Sequence, residues 1–108
     1  MFGFMNILRH LRTFINIKSY FNKKIEGYKY QDNKENRIIS NNYVNIDWLM
    51  SCINKRCDHC GCNLELTLES GFIGSNITAQ RVDNNIDHNL DNIIPMSKIC
   101  NCSLSNKF

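Results

Sequence analysis

The fold is decided by two cysteine motifs, Cys57-Asp58-His59-Cys60-Gly61 and Cys100-Asn101-Cys102, which lie about forty residues apart. Two thiolates separated by two residues can bind one tetrahedral metal ion from a tight turn, and the following glycine accepts backbone angles that other residues resist. Such a turn supplies only two of the usual four ligands, so the others must come from elsewhere in the chain. The spacing therefore predicts a metal site that joins both ends of this region.

The region between the motifs is predicted to contain strands followed by a helix. Leu64, Leu66 and Leu68 alternate with polar residues, which indicates a half-buried strand that ends near Gly71 and Gly74. The segments that follow are a strand at 77–82, a loop at 84–91, a short strand at 92–96 and a helix from residue 98, with Pro95 favouring a sheet edge.

This ordered pattern resembles the HNH (ββα-metal) endonuclease superfamily in its treble-clef form, over roughly residues 47–106. The match rests on Cys57 and Cys60, on Arg81-Val82-Asp83-Asn84, on Asn92 and on Cys100-Asn101. The resemblance implies an α+β fold, in which residues 43–108 form a zinc-stabilised treble-clef or ββα-metal module. Residues 1–42 would then be a basic helical extension and a linker.

Three positions depart from the family pattern. Gln80 stands where an Asp is usual, and Arg81 stands where nuclease-competent members often carry His. Ser97 occupies the place of the first cysteine of the second pair. The first two changes affect the expected chemistry, and the third affects the metal site.

The resemblance implies a site that cleaves a phosphodiester, in which Mg²⁺ or Mn²⁺ offsets phosphate charge and a His deprotonates water. Arg81 cannot act as a base but can bind phosphate, whereas His88 lies in the loop where the family has a Gly-His or Gly-Tyr dipeptide. Asp83 is a candidate metal ligand or a partner of Arg81, and Asn101 is a candidate metal contact. Asn92 is expected to hold the loop by bonding to its backbone. A solvated His88 and a turn-forming Asp83 are the structural alternatives.

The predicted zinc ligands are Cys57, Cys60, Cys100 and Cys102. Alternatives for the fourth place are Cys62, His59 and a water molecule. Disulfides are the competing use of six cysteines, but the chain has no signal-peptide pattern and five of the six lie in two short clusters. Metal binding implies a reducing compartment, the cytoplasm or the nucleus, with organelle import left open.

Charge is divided unevenly along the chain. Residues 1–56 hold ten basic and four acidic residues, whereas residues 57–108 hold three and six. A basic half attracts phosphate backbones, so nucleic acid, and duplex DNA in particular, is the predicted partner. A solvated basic face is the alternative. No apolar run approaches the ~20 residues that a membrane-spanning helix needs.

The first 25 residues predict an amphipathic helix, because their apolar residues recur at three- and four-residue intervals. These apolar residues are Phe4, Ile7, Leu8, Leu11, Phe14 and Ile15. Residues 27–42 are polar and predict a linker. Asp47 is predicted to cap a short helix that carries Trp48 into the core, and Cys52 is predicted to be a small buried side chain.

Three functions remain open on this reading. The first is a small HNH-like endonuclease of viral or mobile-element type. The second is a degenerate member of that fold that binds nucleic acid or a partner without cutting. The third is a zinc-stabilised interaction module. Gln80 and Arg81 favour the second function, and the retained Asp83, His88, Asn92 and Asn101 favour the first.

Overall fold

The computed structural model describes residues 2–66 and 76–104, without the side chains of residues 2–14, 54 and 102–104. Its elements in chain order are α1 (Phe2–Lys34), α2 (Ile46–Ser51), a 3₁₀ turn (Cys52–Asn54), β1 (Ile77–Arg81), β2 (Ile93–Ser97) and α3 (Lys98–Leu104). The α+β class is confirmed, and so is the order of strand, loop, strand and helix after residue 76.

The centre of the fold is the antiparallel pair of β1 and β2. Ile77 lies opposite Ser97, and Arg81 lies opposite Ile93. Pro95 lies in β2, which pairs only with β1 among the described residues, so its missing N–H costs no ladder bond on the open side. The first four residues of β1 are all buried, because α3 covers β1 on one side and the helices before it pack on the other.

Helix α1 is part of the core along its second half. Ile17, Phe21, Ile25 and Tyr28 recur at three- and four-residue intervals and pack against the core, and Phe21 has no exposed surface. The hydroxyl of Tyr28 accepts a hydrogen bond of 3.0 Å from the backbone N–H of Ala79 in β1. This contact joins α1 to the sheet.

The predicted linker at 27–42 is therefore wrong over its first half, since α1 continues to Lys34. The helix ends in a Schellman motif, in which Asn36 adopts the left-handed conformation with φ 59°. The N–H of Asn36 donates to the carbonyl of Asn33 at 3.1 Å, and the N–H of Arg37 donates to that of Asp32 at 2.8 Å. The motif turns the chain back so that Arg37 lies against Asp32. The side chains of the apolar residues predicted within 1–14 lie outside the described residues.

The N-cap of helix α2 lies two residues before the predicted cap. The N-cap is Asn45, whose side-chain oxygen accepts from the N–H of Trp48 at 2.9 Å, so Asp47 lies in the first turn instead. Leu49 and Cys52 follow as buried residues. Cys52 is thus the small buried side chain that the sequence predicted.

The segment from Lys55 to Leu64 folds into a turn that docks on β2. Gly61 adopts φ 76°, and its N–H donates to the carbonyl of Cys57 at 2.9 Å, which confirms the conformational reason for a glycine there. The N–H of Asp58 donates to the carbonyl of Pro95 at 3.0 Å. The predicted strand from Leu64 falls largely on residues 67–75, outside the described part, and the treble-clef assignment stays a prediction.

Replacing Phe21 with Ala is expected to lower the free energy of unfolding by about 3–5 kcal/mol, because it empties a fully buried site between α1 and the sheet. Ile15→Ala on the same helix is the control, since that side chain is 63% exposed and should change stability by less than about 0.5 kcal/mol. Urea denaturation followed by Trp48 fluorescence measures both. No loss of stability in Phe21→Ala would mean that α1 is a loosely attached extension.

Candidate metal centre and adjoining cleft

Three thiols meet where the turn after the 3₁₀ segment contacts the start of α3. The Sγ atoms of Cys57, Cys60 and Cys100 lie within 4.8 Å of one another, a spacing that can hold a metal ion. Cys57 and Cys100 are buried, whereas Cys60 is exposed. The five cysteines with described side chains are all free thiols. The structure thus brings together three of the four predicted ligands.

The backbone groups around Cys57 favour the ionised form of its thiol. Burial opposes the charged form, but hydrogen bonds from the backbone N–H groups of Cys60, Ser97 and His59 outweigh it and lower the pKa of Cys57 to about 6. The N–H of Ser97 lies 3.3 Å from the Cys57 sulfur. Because the thiolate is the form that binds metal, this environment favours metal binding.

The fourth ligand place is bordered by Ser97. This serine is fully buried, its Oγ accepts a hydrogen bond of 3.4 Å from the N–H of Cys100, and it thereby caps α3. Its hydroxyl also contacts the thiols of Cys57, Cys62 and Cys100. The thiol of Cys62 contacts that of Cys60. The side chain of Cys102, the predicted fourth ligand, lies outside the described residues.

A cleft of about 310 Å³ opens on the other side of α3 and β1. It is lined by Lys24, Tyr28 and Gln31 of α1, Thr78, Ala79, Gln80 and Arg81 of β1, His88 of the loop, and Lys98 and Asn101 of α3. Three of these side chains are cationic, and no Asp or Glu of the described residues lines the cleft. The lining is suited to an anion.

Three of the predicted site residues meet in this cleft: Arg81, His88 and Asn101. The amide nitrogen of Asn101 donates to the Thr78 hydroxyl at 2.9 Å, which fixes α3 against β1. Arg81 donates to the carbonyl of Asn84 at 2.7 Å, and burial lowers the pKa of its guanidinium, with the nearby Arg37 adding to the effect. Arg81 remains a cation at neutral pH, as a phosphate contact requires.

His88 is buried rather than solvated, with 3% of its surface exposed. Its Nδ1 lies 2.8 Å from the carboxylate of Asp32, and its ring stacks on that of Tyr28 with 4.4 Å between centroids. Burial lowers the pKa of His88, while the Asp32 carboxylate opposes that shift and Arg81 and Arg37 add to it. The imidazole is therefore neutral at pH 7, the state that a general base needs.

Asn92 holds the loop between β1 and β2. Its amide nitrogen donates to the carbonyls of Asp83, Ile86 and Asp87 at 3.0, 3.2 and 3.0 Å, and its oxygen accepts from the N–H of Asp83 at 2.8 Å. The predicted loop-holding role of Asn92 is confirmed. These four bonds fix the backbone that leads to His88.

Asp83 does not reach the cleft. Strand β1 ends at Arg81, so the two residues do not share a strand face, and Asp83 is exposed. Its carboxylate accepts from the N–H of Asn85 at 2.9 Å, which is the turn-forming use of an aspartate. The proposed role of Asp83 as a metal ligand stays a prediction that this geometry does not support.

The residues that sequence reasoning missed belong to α1. Lys24, Tyr28 and Gln31 line the cleft, and Asp32 contacts His88. The signal was present in the repeat that continues from Phe21 past residue 27 at helical spacing. Asparagine, found here at position 36, is also a common residue just after the end of a helix. The sequence therefore contains a signal for a helix that ends near residue 34.

Comparison with models of protein families, with curated proteins and with solved structures finds no match to this chain. The resemblance to HNH endonucleases is neither supported nor opposed by these comparisons. Among the described helices, none combines the length and the apolar character needed to cross a membrane.

Ser97→Cys is expected to tighten metal binding, because a fourth thiol would replace a hydroxyl that already contacts three of the cysteines. Ser97→Ala is the matched control: it removes the same α3 cap, at a cost of about 1 kcal/mol, and adds no ligand. Competition with a chromophoric zinc chelator measures the affinity. Equal affinity in wild type and Ser97→Cys would mean that another group already fills the fourth place.

The free energy of unfolding is expected to fall as the pH drops from 7.5 to 5.5. Because the pKa of His88 is lowered in the folded protein, the unfolded chain binds the proton first as pH falls below about 6.5, and stability is lost. Urea denaturation at both pH values should show a smaller drop in His88→Gln than in wild type. The effect of acid on the thiols is common to both proteins and cancels in the comparison. An identical loss of stability in both proteins would contradict the lowered pKa of His88.

Proposed function

We propose that this protein is an HNH-like nucleic-acid-binding protein that cleaves phosphodiester bonds, with duplex DNA as its substrate and His88 as its general base. The observation that carries the proposal is the meeting of Arg81, His88 and Asn101 in one cleft. These residues come from a strand, a loop and a helix, and the resemblance to the HNH superfamily had assigned a role to each of them.

The charge of the cleft supports an anionic substrate. Lys24, Arg81 and Lys98 line it from three different elements. A phosphodiester carries one negative charge, and guanidinium and ammonium groups are the side chains that bind it. The cations therefore fit a backbone phosphate, and they can offset the charge that develops there during cleavage.

The state of His88 supports its role as the base. With Nδ1 directed at Asp32, the other ring nitrogen is left to accept a proton from a water molecule. Burial keeps the imidazole neutral at pH 7 by lowering its pKa. A positioned neutral imidazole of this kind contributes about 10²- to 10⁴-fold to a rate.

A catalytic Mg²⁺ or Mn²⁺ fits this cleft poorly. Such ions are usually held by one or two carboxylates together with substrate phosphates, and the described lining has amide oxygens at Gln80 and Asn101 but no carboxylate. The proposed cleavage therefore rests on His88 and the cations. Dependence on a divalent ion is left to the experiment.

We propose zinc as the metal of the thiol cluster. Three thiolate sulfurs within 4.8 Å of one another favour zinc among the common divalent ions, and the domain is small enough to need such a staple. Free thiols also favour a reducing compartment, so cytoplasm or nucleus belongs to the same proposal.

The missing carboxylate favours a second candidate function. A degenerate HNH-like protein would keep the cationic cleft and bind nucleic acid without cutting it. This candidate function uses the same contacts to nucleic acid as the first but lacks the proton transfer to His88. Binding and cleavage must therefore be measured separately.

Nicking of a supercoiled plasmid by zinc-loaded protein separates the candidates. Magnesium or manganese is added or omitted rather than chelated, so that the thiol cluster keeps its metal. Wild type and Asn85→Ala, a control at an exposed position of the same loop, should nick alike, whereas His88→Ala should be slower by about 100-fold or more. Circular dichroism verifies that each variant is folded.

Binding to the same DNA at 50 and 200 mM salt completes the test. Affinity that falls steeply with salt but without nicking would establish the second candidate. If the protein neither binds nor nicks this DNA, both candidate functions are contradicted. The remaining function is then a zinc-stabilised interaction module.

A further inference from the structure

The carboxylate of Asp32 accepts four hydrogen bonds in the core of the protein. It lies at the end of α1 with no exposed surface. Its Oδ2 accepts from the hydroxyl of Tyr43, from the backbone N–H of His88 at 3.1 Å and from His88 Nδ1 at 2.8 Å, while Oδ1 accepts from Arg37 at 3.1 Å. Burial opposes the ionisation of Asp32, but the bonds from Tyr43 and His88 outweigh it and lower its pKa. The group is a carboxylate at neutral pH.

The ring of His88 is held on several sides. Tyr28 stacks on it at an interplanar angle of 21°, and Tyr43 meets it edge-on with 6.5 Å between centroids. The backbone carbonyl of His88 accepts from the N–H of Val44 at 2.8 Å. Together with Asp32, these contacts leave the imidazole little freedom to rotate or to exchange its two nitrogens.

We infer that Asp32 is a positioning residue for His88, which holds the imidazole in the tautomer with its proton on Nδ1 and so leaves Nε2 as the proton acceptor toward the cleft. A carboxylate can only accept a hydrogen bond, so Nδ1 must carry the proton. The neutral imidazole has one proton, and Nε2 is then unprotonated. The inference rests on the proposed function, since it assigns the state of its general base.

The same carboxylate would also stabilise the product of proton transfer. When Nε2 takes a proton from water, the ring becomes an imidazolium whose Nδ1 proton still faces Asp32. Among the described residues, the charged groups with the largest effects on the ring are Asp32, Arg81 and Arg37, and the phenols next to it are those of Tyr28 and Tyr43. Asp32 is the anion that is hydrogen-bonded to the ring, so it balances the new charge directly.

A purely structural role for Asp32 is the competing explanation. The carboxylate closes the end of α1 through Arg37 and ties down Tyr43, and either contact would account for its burial. The two explanations differ in what they predict for the ring nitrogens of His88. A structural clamp would leave the tautomer unchanged when its charge is removed.

Asp32→Asn tests the inference with two matched controls. The amide keeps the size of the carboxylate but can accept from or donate to Nδ1, so the choice of tautomer is lost. Tyr43→Phe removes another hydrogen bond of the same carboxylate and leaves His88 its partner. Glu26→Gln removes a negative charge from an exposed position of α1.

Long-range ¹H–¹⁵N NMR spectra of the full chain report the tautomer directly. We expect wild type, Tyr43→Phe and Glu26→Gln to show a protonated Nδ1 and an unprotonated Nε2 at pH 7.5, and Asp32→Asn to show a mixture. An unchanged His88 pattern in folded Asp32→Asn would overturn the inference, and so would a protonated Nε2 in wild type.

Nicking rates measured from pH 5 to 8 provide the second readout. Asp32→Asn should lower the rate about tenfold or more, with Tyr43→Phe much less affected. In the pH–rate profile of Asp32→Asn, the acidic limb should move to lower pH, because loss of the carboxylate charge makes His88 harder to protonate. Equal losses in the two variants, with no movement of the limb, would establish the structural clamp. If wild type does not nick, the proposed function fails, and the NMR pattern alone decides whether Asp32 sets the state of His88.

Discussion

A carboxylate without exposed surface is tolerated only when donors replace the water it has lost, and Asp32 has four such donors. They come from the turn after α1, from the segment before α2 and from the loop between the strands. The position of His88 in the cleft depends on this group together with the bonds that Asn92 makes to the same loop.

The sheet is stabilised differently at its two ends. At one end, the thiols of Cys57, Cys60 and Cys100 bring a turn and α3 together, and Ser97 completes the contact. At the other end, Asp32 and Asn92 hold the loop by hydrogen bonds. Two strands of five residues bury little surface, so neither end is dispensable in a fold of this size.

The elements that local pattern specifies were predictable. Neighbouring residues are enough to predict four of these features. They are the turn at Gly61, the strand from Ile77, the edge position of Pro95 and the helix after Ser97. The loop-holding role of Asn92 followed from the resemblance. The polar residues after Gly27 predict a linker, but α1 continues through them because its buried residues recur at helical spacing. No local signal pairs Asp32 with His88, since 56 residues separate them and only the packing of Phe21 and Tyr28 brings them together.

Two neighbouring residues of α3 serve different sites. Cys100 belongs to the thiol cluster, and Asn101 lines the cleft and bonds to Thr78 across β1. The helix is seven residues long, too short to be stable by itself, and its first turn is held by Ser97 beside the thiols. If the thiol cluster binds the proposed zinc ion, loss of that ion would free the start of α3 and move Asn101 with it, so that metal starvation would alter the cleft without any ligand being exchanged there.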